Sequence, residues 1–469
     1  MSRSTTISSP DHGRVTARRI FTALRTQSSE RWLYLFLAAQ FVCQCALMAE
    51  RMGGRWRIYF RAATFLSSLA MLLLLPGRTI KPHPASRLGI AAIAGIGLGL
   101  LHPYTNTLAG IAQWCLNAAI WAPLFWIGRI KLSPRTLWNA VIMLWAFHTI
   151  SSVVGVLQVY YPERFSPSAE FVRTLMGQFA DGLLITLDDG KQVWRPFGLS
   201  DTPGGAATSG SFAVIAGLVL FLSKPHWCVR FLSVFGVFTG IFCIYICEVR
   251  SIMAITVLGT CVMILLQVLQ KRISRAAASM IILLLFAFGA ISWTHSIGGE
   301  SARRRARTLV EMPASSVYYQ NRGVFLEHAV FEELPKYPLG AGVGRWGMMY
   351  AYFGDPTQPH SSALWSEIQF TGWLYDGGIP LVFFGYGAVI TACYVTFKIS
   401  LNEQYDRYLR DCAGIVTALN AGWLVVTFNY PLFIGQGGMI FWLLNAAVFA
   451  ASVYGSPEPT RNSRYKLLP

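Results

Sequence analysis

Between Arg250 and Lys271 the chain reads Ser251-Ile252-Met253-Ala254-Ile255-Thr256-Val257-Leu258-Gly259-Thr260-Cys261-Val262-Met263-Ile264-Leu265-Leu266-Gln267-Val268-Leu269-Gln270, with no formal charge along its length. As a helix rising about 1.5 Å per residue, this stretch is about 30 Å long, the thickness of a bilayer's hydrocarbon core. Comparable apolar runs extend outward in both directions. They fall at about 32–49, 58–77, 88–104, 107–128, 136–160, 206–223, 228–247, 276–293, 373–397, 413–433 and 437–454, which with 251–270 makes twelve expected spans. Composition agrees, with 54% hydrophobic and 13% charged residues in a chain of 469. The expected class is an all-α polytopic membrane protein with about twelve transmembrane helices.

The net charge of +17 invites a nucleic-acid reading, but its distribution points elsewhere. Much of the excess lies in short connections: Arg78, Lys81 and Arg87; Arg129, Lys131 and Arg135; Lys224 and Arg230; Lys271, Arg272 and Arg275; Lys398, Arg407 and Arg410. The final tail adds Arg461, Arg464 and Lys466. This is the cytoplasmic bias of the positive-inside rule, and it predicts contact with anionic lipid, not nucleic acid. Residues 1–30 have no apolar core like that of a cleaved signal, so they and residues 456–469 are expected to be cytoplasmic tails of a membrane domain over 31–455. One connection dissents. Arg51, Arg55 and Arg57 would lie outside, either as an unusual hairpin or in contact with phosphate at the outer membrane face.

Two long polar loops then fall on the extracytoplasmic side, at 161–205 and 294–372. In the first, alternating residues around Asp188-Asp189-Gly190 predict a small hairpin leading to Trp194-Arg195. In the second, 321–334 has helical spacing, and a further helix is expected over 361–370. Gly342-Val343-Gly344-Arg345-Trp346-Gly347 formally matches a dinucleotide fingerprint, but no parallel sheet surrounds it; a tight turn approaching a neighbouring helix is the better reading. None of the nine cysteines lies in either loop, so no disulfide framework or cysteine zinc site is expected there. The loops also lack a compact Asp, Glu and His cluster. Asp188-Asp189 is read as a turn, and the chemistry as metal-independent and free of cofactors.

Candidate site residues are few. Glu248 and Arg250 stand where one span ends and the next begins, with an interfacial ion pair and a functional site both open as readings. Arg195 precedes the glycine-rich start of a span, and Arg322 opens a helix. With Arg250 they supply three guanidiniums whose geometry suits a diphosphate. His360 is expected at a helix start, where the helix dipole would keep its imidazole neutral and able to accept a proton. Glu367 would share its helix face but lie about 10 Å along the axis, too far to orient it. His148, inside a span, is expected to hydrogen-bond within the bundle. The basic run Arg303, Arg304, Arg305 and Arg307 is read as a solvated or lipid-facing helix.

In order and topology these pieces resemble the O-antigen ligase and polymerase superfamily of bacterial envelope glycosyltransferases. The resemblance rests on Arg195-Pro196-Phe197-Gly198, on Val249-Arg250-Ser251, on Arg322 ahead of Pro338-Leu339-Gly340-Ala341-Gly342-Val343-Gly344, and on His360 ahead of Asp376-Gly377-Gly378-Ile379-Pro380. It implies a GT-C-like fold in the inner membrane, with both termini cytoplasmic and the active site facing the periplasm. The implied reaction, in lipopolysaccharide biosynthesis, moves a glycan from undecaprenyl diphosphate to a hydroxyl of lipid A-core. By resemblance Arg195, Arg250 and Arg322 would bind the diphosphate and His360 would act on the acceptor, with Glu248, Arg345 and Glu367 in support. A polymerase or a protein O-oligosaccharyltransferase of the same superfamily is the alternative, and an anion or lipid transporter a more distant one. The paired arginine-to-glycine loop motifs of many polymerases are not found here, which favours a ligase.

Overall fold

The computed structural model describes residues 12–48, 54–75, 77, 79, 81–176, 183–186, 190–223, 226–297, 314–358, 360 and 362–455. Arg51, Arg78, Asp188-Asp189, Lys224, the basic run 303–307, Ser361 and the basic residues of the final tail lie outside the described residues.

The protein is predominantly helical. Its long helices are α1 (His12–Leu47), α2 (Gly54–Leu74), α3 (Ser86–Gly99), α4 (Thr107–Trp121), α5 (Pro134–Tyr160), α6 (Gly205–Leu222), α7 (Trp227–Ile246), α8 (Arg250–Leu269), α9 (Ile273–Ile297), α10 (Gln369–Leu401), α11 (Arg407–Val426) and α12 (Gln436–Tyr454). Ten helices among the described residues are long and apolar enough to cross a membrane. The two expected spans outside that set are α1, which begins at His12 within the segment read as a tail, and α3. The latter has only 14 residues, about 21 Å of helix.

Contacts at the helix ends show the alternation directly. At one end, Glu30 accepts from the Ser133 N–H, Arg129 donates to Leu72 O, Tyr454 to Gly128 O and Gln270 to Ser400 O. At the other, Met48 packs on Val172 and Phe197, Asn106 donates to Asp355 O, and the Tyr318 hydroxyl donates to Phe428 O. Each connection therefore returns the chain to the opposite end. The two long loops share an end, called here the loop-rich end.

Packing explains the tight assembly. On α6 and α7, Gly210 and Gly240 face each other, and a Cβ on either would lie 2.8 or 2.7 Å from the other's carbonyl oxygen. Backbones approach this closely in membrane bundles because lipid offers no hydrophobic drive and van der Waals contact must supply the attraction. A second focus is aromatic: Trp121, Trp373, Phe433, Phe441 and Trp442 are almost wholly buried, with Trp121 and Trp442 4.3 Å apart at their ring centroids. Inside the bundle, His148 Nδ1 pairs with Ser209 Oγ at 3.1 Å, the internal hydrogen bond its position predicts.

The loop expectations fare unevenly. β1 (Leu184–Thr186) and β2 (Gln192–Trp194) pair antiparallel, with Ile185 opposite Val193, as the alternation predicts. Residues 314–336 form one continuous helical run that includes π turns at Tyr319–Gly323 and Ala329–Glu333. The helix expected over 361–370 is not formed. Described residues from 362 to 366 have no regular structure, and α10 starts only at Gln369.

Candidate functional site

Four neighbourhoods at the loop-rich end hold the chemistry-bearing residues. The first is built around the start of α6. Arg195 leaves β2, its N–H donating to Leu183 O at 2.8 Å. The next turn is clamped to α5: the N–H groups of Phe197 and Gly198 donate to buried Gln158 Oε1 at 2.9 and 2.8 Å, and Leu199 N–H donates to Ser151 Oγ at 3.0 Å. Charge is thereby presented on backbone that a buried amide fixes. A Cβ at Gly204 would lie 3.6 Å from Arg195 Cδ and 3.0 Å from Val249 Cγ2. Arg195 thus meets the Glu248-Val249-Arg250 junction at one point. Glu248 is buried and has a φ of 54°, a left-handed conformation that a non-glycine residue holds only when its surroundings impose it.

The second neighbourhood is Arg322, which pairs with Glu367 at 2.7 Å and lies 6.0 Å from the Phe325 ring. Glu367 was expected on a helix with His360. With no helix there, it is instead the counter-ion of Arg322.

The third is His360, whose expected helix start is also absent. Its φ is 65° and its side chain is exposed, so no helix dipole acts on it. Its ring lies 5.5 Å from Tyr104, and on the same tyrosine His102 packs edge-on at 5.3 Å. His102 Nδ1 accepts from the Tyr104 N–H at 3.2 Å, which leaves Nε2 to carry the proton in the neutral tautomer. Burial and nearby Arg345 hold the His102 pKa below its ordinary value. Sequence reading passed over His102, although it breaks the polarity between two apolar runs.

Arg345 is a structural clamp. Buried, it donates to Ala341 O at 2.7 Å and to Ser362 O at 3.1 Å, while Leu364 N–H returns to Arg345 O at 2.6 Å. These bonds tie 362–364 to the glycine-rich loop, the physical reason the expected helix does not form. The glycine patch is the tight turn anticipated. At Gly344 (φ 76°) a side chain would overlap the backbone of Ala109 and Gly110 on α4, so the loop can seat only as glycine.

The fourth neighbourhood was not foreseen. Arg57 and Arg61, one turn apart on α2, share Asp201: Arg61 Nε donates to its Oδ2 at 2.9 Å, and Arg57 Nη2 lies 3.8 Å away. Arg61 also donates to the Tyr352 hydroxyl at 2.7 Å, and Arg57 stands 4.5 Å over the Phe171 ring. Arg57 is 8% exposed, and its Nε has no hydrogen-bond partner. Of the arginines in the dissenting connection, Arg57 turns inward to an internal acid, so it is not a free loop charge. Asp201 stands three residues before Gly204, which joins this cluster to Arg195 along the chain.

Arg195 and the Arg250 junction are therefore together, Asp201 links them to Arg57 and Arg61, and Arg322 and His360 lie in their own surroundings. Among the described residues no hydrogen bond or ion pair joins His360 to the three predicted arginines. No group of three or more His, Cys, Asp and Glu side chains among the described residues could hold a metal ion.

The chain matches no family model, and no curated protein or solved structure shows significant similarity to it.

Proposed function

We propose that this chain is a metal-independent membrane glycosyltransferase. In this reading it transfers a glycan from undecaprenyl diphosphate to a sugar hydroxyl of lipid A-core at the periplasmic face of a bacterial inner membrane, as an O-antigen ligase does. The observation that carries it is the meeting of Arg195 with the Arg250 junction beside Gly204, with three further guanidiniums (Arg57, Arg61 and Arg322) at the same end of an apolar bundle. Guanidinium forks retain their charge and fit phosphate oxygens, so they suit a leaving group whose negative charge grows as its bond to the sugar breaks. Membrane helices around such a site would accommodate the donor's lipid.

In the proposed step the acceptor oxygen attacks the donor's anomeric carbon. The bond to diphosphate breaks with its electron pair leaving on the lipid diphosphate, and the acceptor's proton passes to His360. An exposed imidazole at the loop-rich end can be reached by a bulky acceptor. Glu248 and Glu367 set the charge around Arg250 and Arg322, and Arg345 holds the segment after His360. Substitution of His360 by Ala, in a bacterium that makes the lipid-linked glycan, is expected to lower capped lipopolysaccharide about 100-fold or more while membrane insertion is unchanged. Normal glycan ladders from that variant would remove the catalytic assignment. Deleting the gene separates ligase from polymerase: long chains stranded on the carrier indicate a ligase, and single repeat units a polymerase.

The transporter reading draws on a break in α10 at Gly378 (φ 64°, ψ −156°), followed by Pro380. Transporters bind ions at broken helices near the bilayer midplane. This break is only nine residues after Gln369 in a 33-residue helix, against the 338–340 loop, which favours the transferase.

A further inference from the structure

The end of the bundle opposite the long loops has a charge cluster with too few acids. Two short connections supply it, Arg272 and Arg275 at the start of α9 and Arg407 and Arg410 at the start of α11, each pair spaced by one turn. Asp411 is their shared partner, with 3% of its side chain exposed. Arg272 bonds to its Oδ1, the Ser223 hydroxyl donates to Oδ2 at 2.8 Å, and Arg275 and Arg407 stand 3.5 and 3.6 Å from Oδ2. Four guanidiniums against one buried carboxylate leave +3. Counting also exposed Glu403 and the N-cap Asp406, the balance is four minus three, still positive.

Asp411 cannot satisfy all of these donors. Arg407 Nε and Nη2 and Arg410 Nε are buried without a hydrogen-bond partner. Arg272, Arg275 and Arg410 line an open recess with Gln270 and Asp411, and its inner wall is apolar, with Val219, Leu222, Met263 and Leu266. A positive rim over an apolar wall, where three helices end, fits a phosphate with a hydrocarbon attached.

We infer that this recess, walled by α6, α8 and α11 and rimmed by Arg272, Arg275 and Arg410, is a phosphate-binding site that takes the headgroup of an acidic phospholipid. It is separate from the proposed catalytic end, since the 20 residues of α8 stand between them. Guanidinium forks on the rim fit phosphate oxygens, and basic pockets between helices capture such headgroups. Asp411 sets the guanidiniums in place.

The test uses the full-length protein in neutral detergent, following thermal unfolding during separate titrations with phosphatidylglycerol, phosphatidylcholine and inorganic phosphate. Phosphatidylglycerol is expected to raise the unfolding temperature and phosphatidylcholine to leave it unchanged. In R275Q/R410Q the half-saturating phosphatidylglycerol concentration should rise about tenfold or more, the equivalent of one lost charged hydrogen bond. R410Q alone should show a smaller rise, and it serves if the double variant does not fold. Arg164→Gln, at the loop-rich end, is the matched charge control and should respond as wild type. Stabilisation by inorganic phosphate at similar concentrations would support a phosphate site but assign it to a free anion. Equal responses of wild type and the folded rim variant to phosphatidylglycerol, or no response of wild type to either phosphate probe, would overturn the site.

Discussion

Asp201 is one carboxylate serving two guanidiniums in a half-buried setting, and its removal should be felt strongly. Breaking such a pair leaves charge without compensation, at a cost of about 3–5 kcal/mol, whereas replacing both partners by apolar groups is often nearly neutral. Asp201→Ala is therefore expected to lose several times more stability than the triple variant Asp201→Leu, Arg57→Met and Arg61→Met, measured by unfolding in bicelles; equal losses would deny the coupling. His83 makes a second prediction at this scale. Its buried ring packs 5.0 Å from Phe449, Nδ1 accepts from Ala85 N–H at 3.1 Å, and burial lowers its pKa to about 4. Unfolded, the imidazole takes a proton near 6.5; folded, it stays neutral down to about 4. Its contribution to stability is full above pH 6.5, declines as pH falls to about 4, and is level below, a total of up to about 3 kcal/mol at about 1.4 kcal/mol per pKa unit. His83→Gln keeps an acceptor without titrating, so from pH 7.5 to 4.5 the wild type should lose about 2–3 kcal/mol more than the variant. At this scale the sequence is only half legible. Arg57 and Arg61 show their one-turn spacing, but their partner lies 140 residues away from Arg61 and could not be read.

At the scale of elements, local chemistry predicts most of what forms. The hairpin is readable because strand alternation and an Asp-Gly turn are local signals, and the helix over 321–334 because its apolar residues recur at helical spacing, though the helical run extends from 314 to 336. The helix expected over 361–370 is absent for a non-local reason: hydrogen bonds between Arg345 and the Ser362 and Leu364 backbone tie the segment to the glycine-rich loop. The same limit separates two glycines of one motif. Gly344 and Gly347 both have left-handed φ, 76° and 70°, yet a Cβ at Gly344 would overlap α4 while one at Gly347 would meet nothing nearer than 3.9 Å. Gly347→Ala should cost only the conformational penalty, about 1–2 kcal/mol. Gly344→Ala should in addition unseat the loop, dropping the yield of monodisperse protein in fluorescence-detected size exclusion well below that of Gly347→Ala. Comparable yields would mean that α4 and the loop separate easily.

For the whole molecule, the apolar runs made the bundle legible, while the shared end of distant loops emerges only from contacts. The short-loop end gathers Arg129, Arg272, Arg275, Arg407 and Arg410, the last four around Asp411, while Arg57 and Arg61 at the loop-rich end share Asp201. By the charge rule, the basic short connections at the short-loop end are expected to face the cytoplasm. Labelling can test both this orientation and the alternation. With the nine native cysteines replaced by serine, single cysteines at Ser168 and Asp355 should react with an impermeant maleimide in intact spheroplasts, while one at Glu403 should react only after lysis. The reverse pattern would invert the molecule and with it the periplasmic placement of the proposed chemistry. Labelling of Ser168 and Glu403 from the same side would be more damaging, because α6 to α10, which separate them, cross between the ends five times. An odd number of crossings must leave the two positions on opposite faces, whichever face is outside.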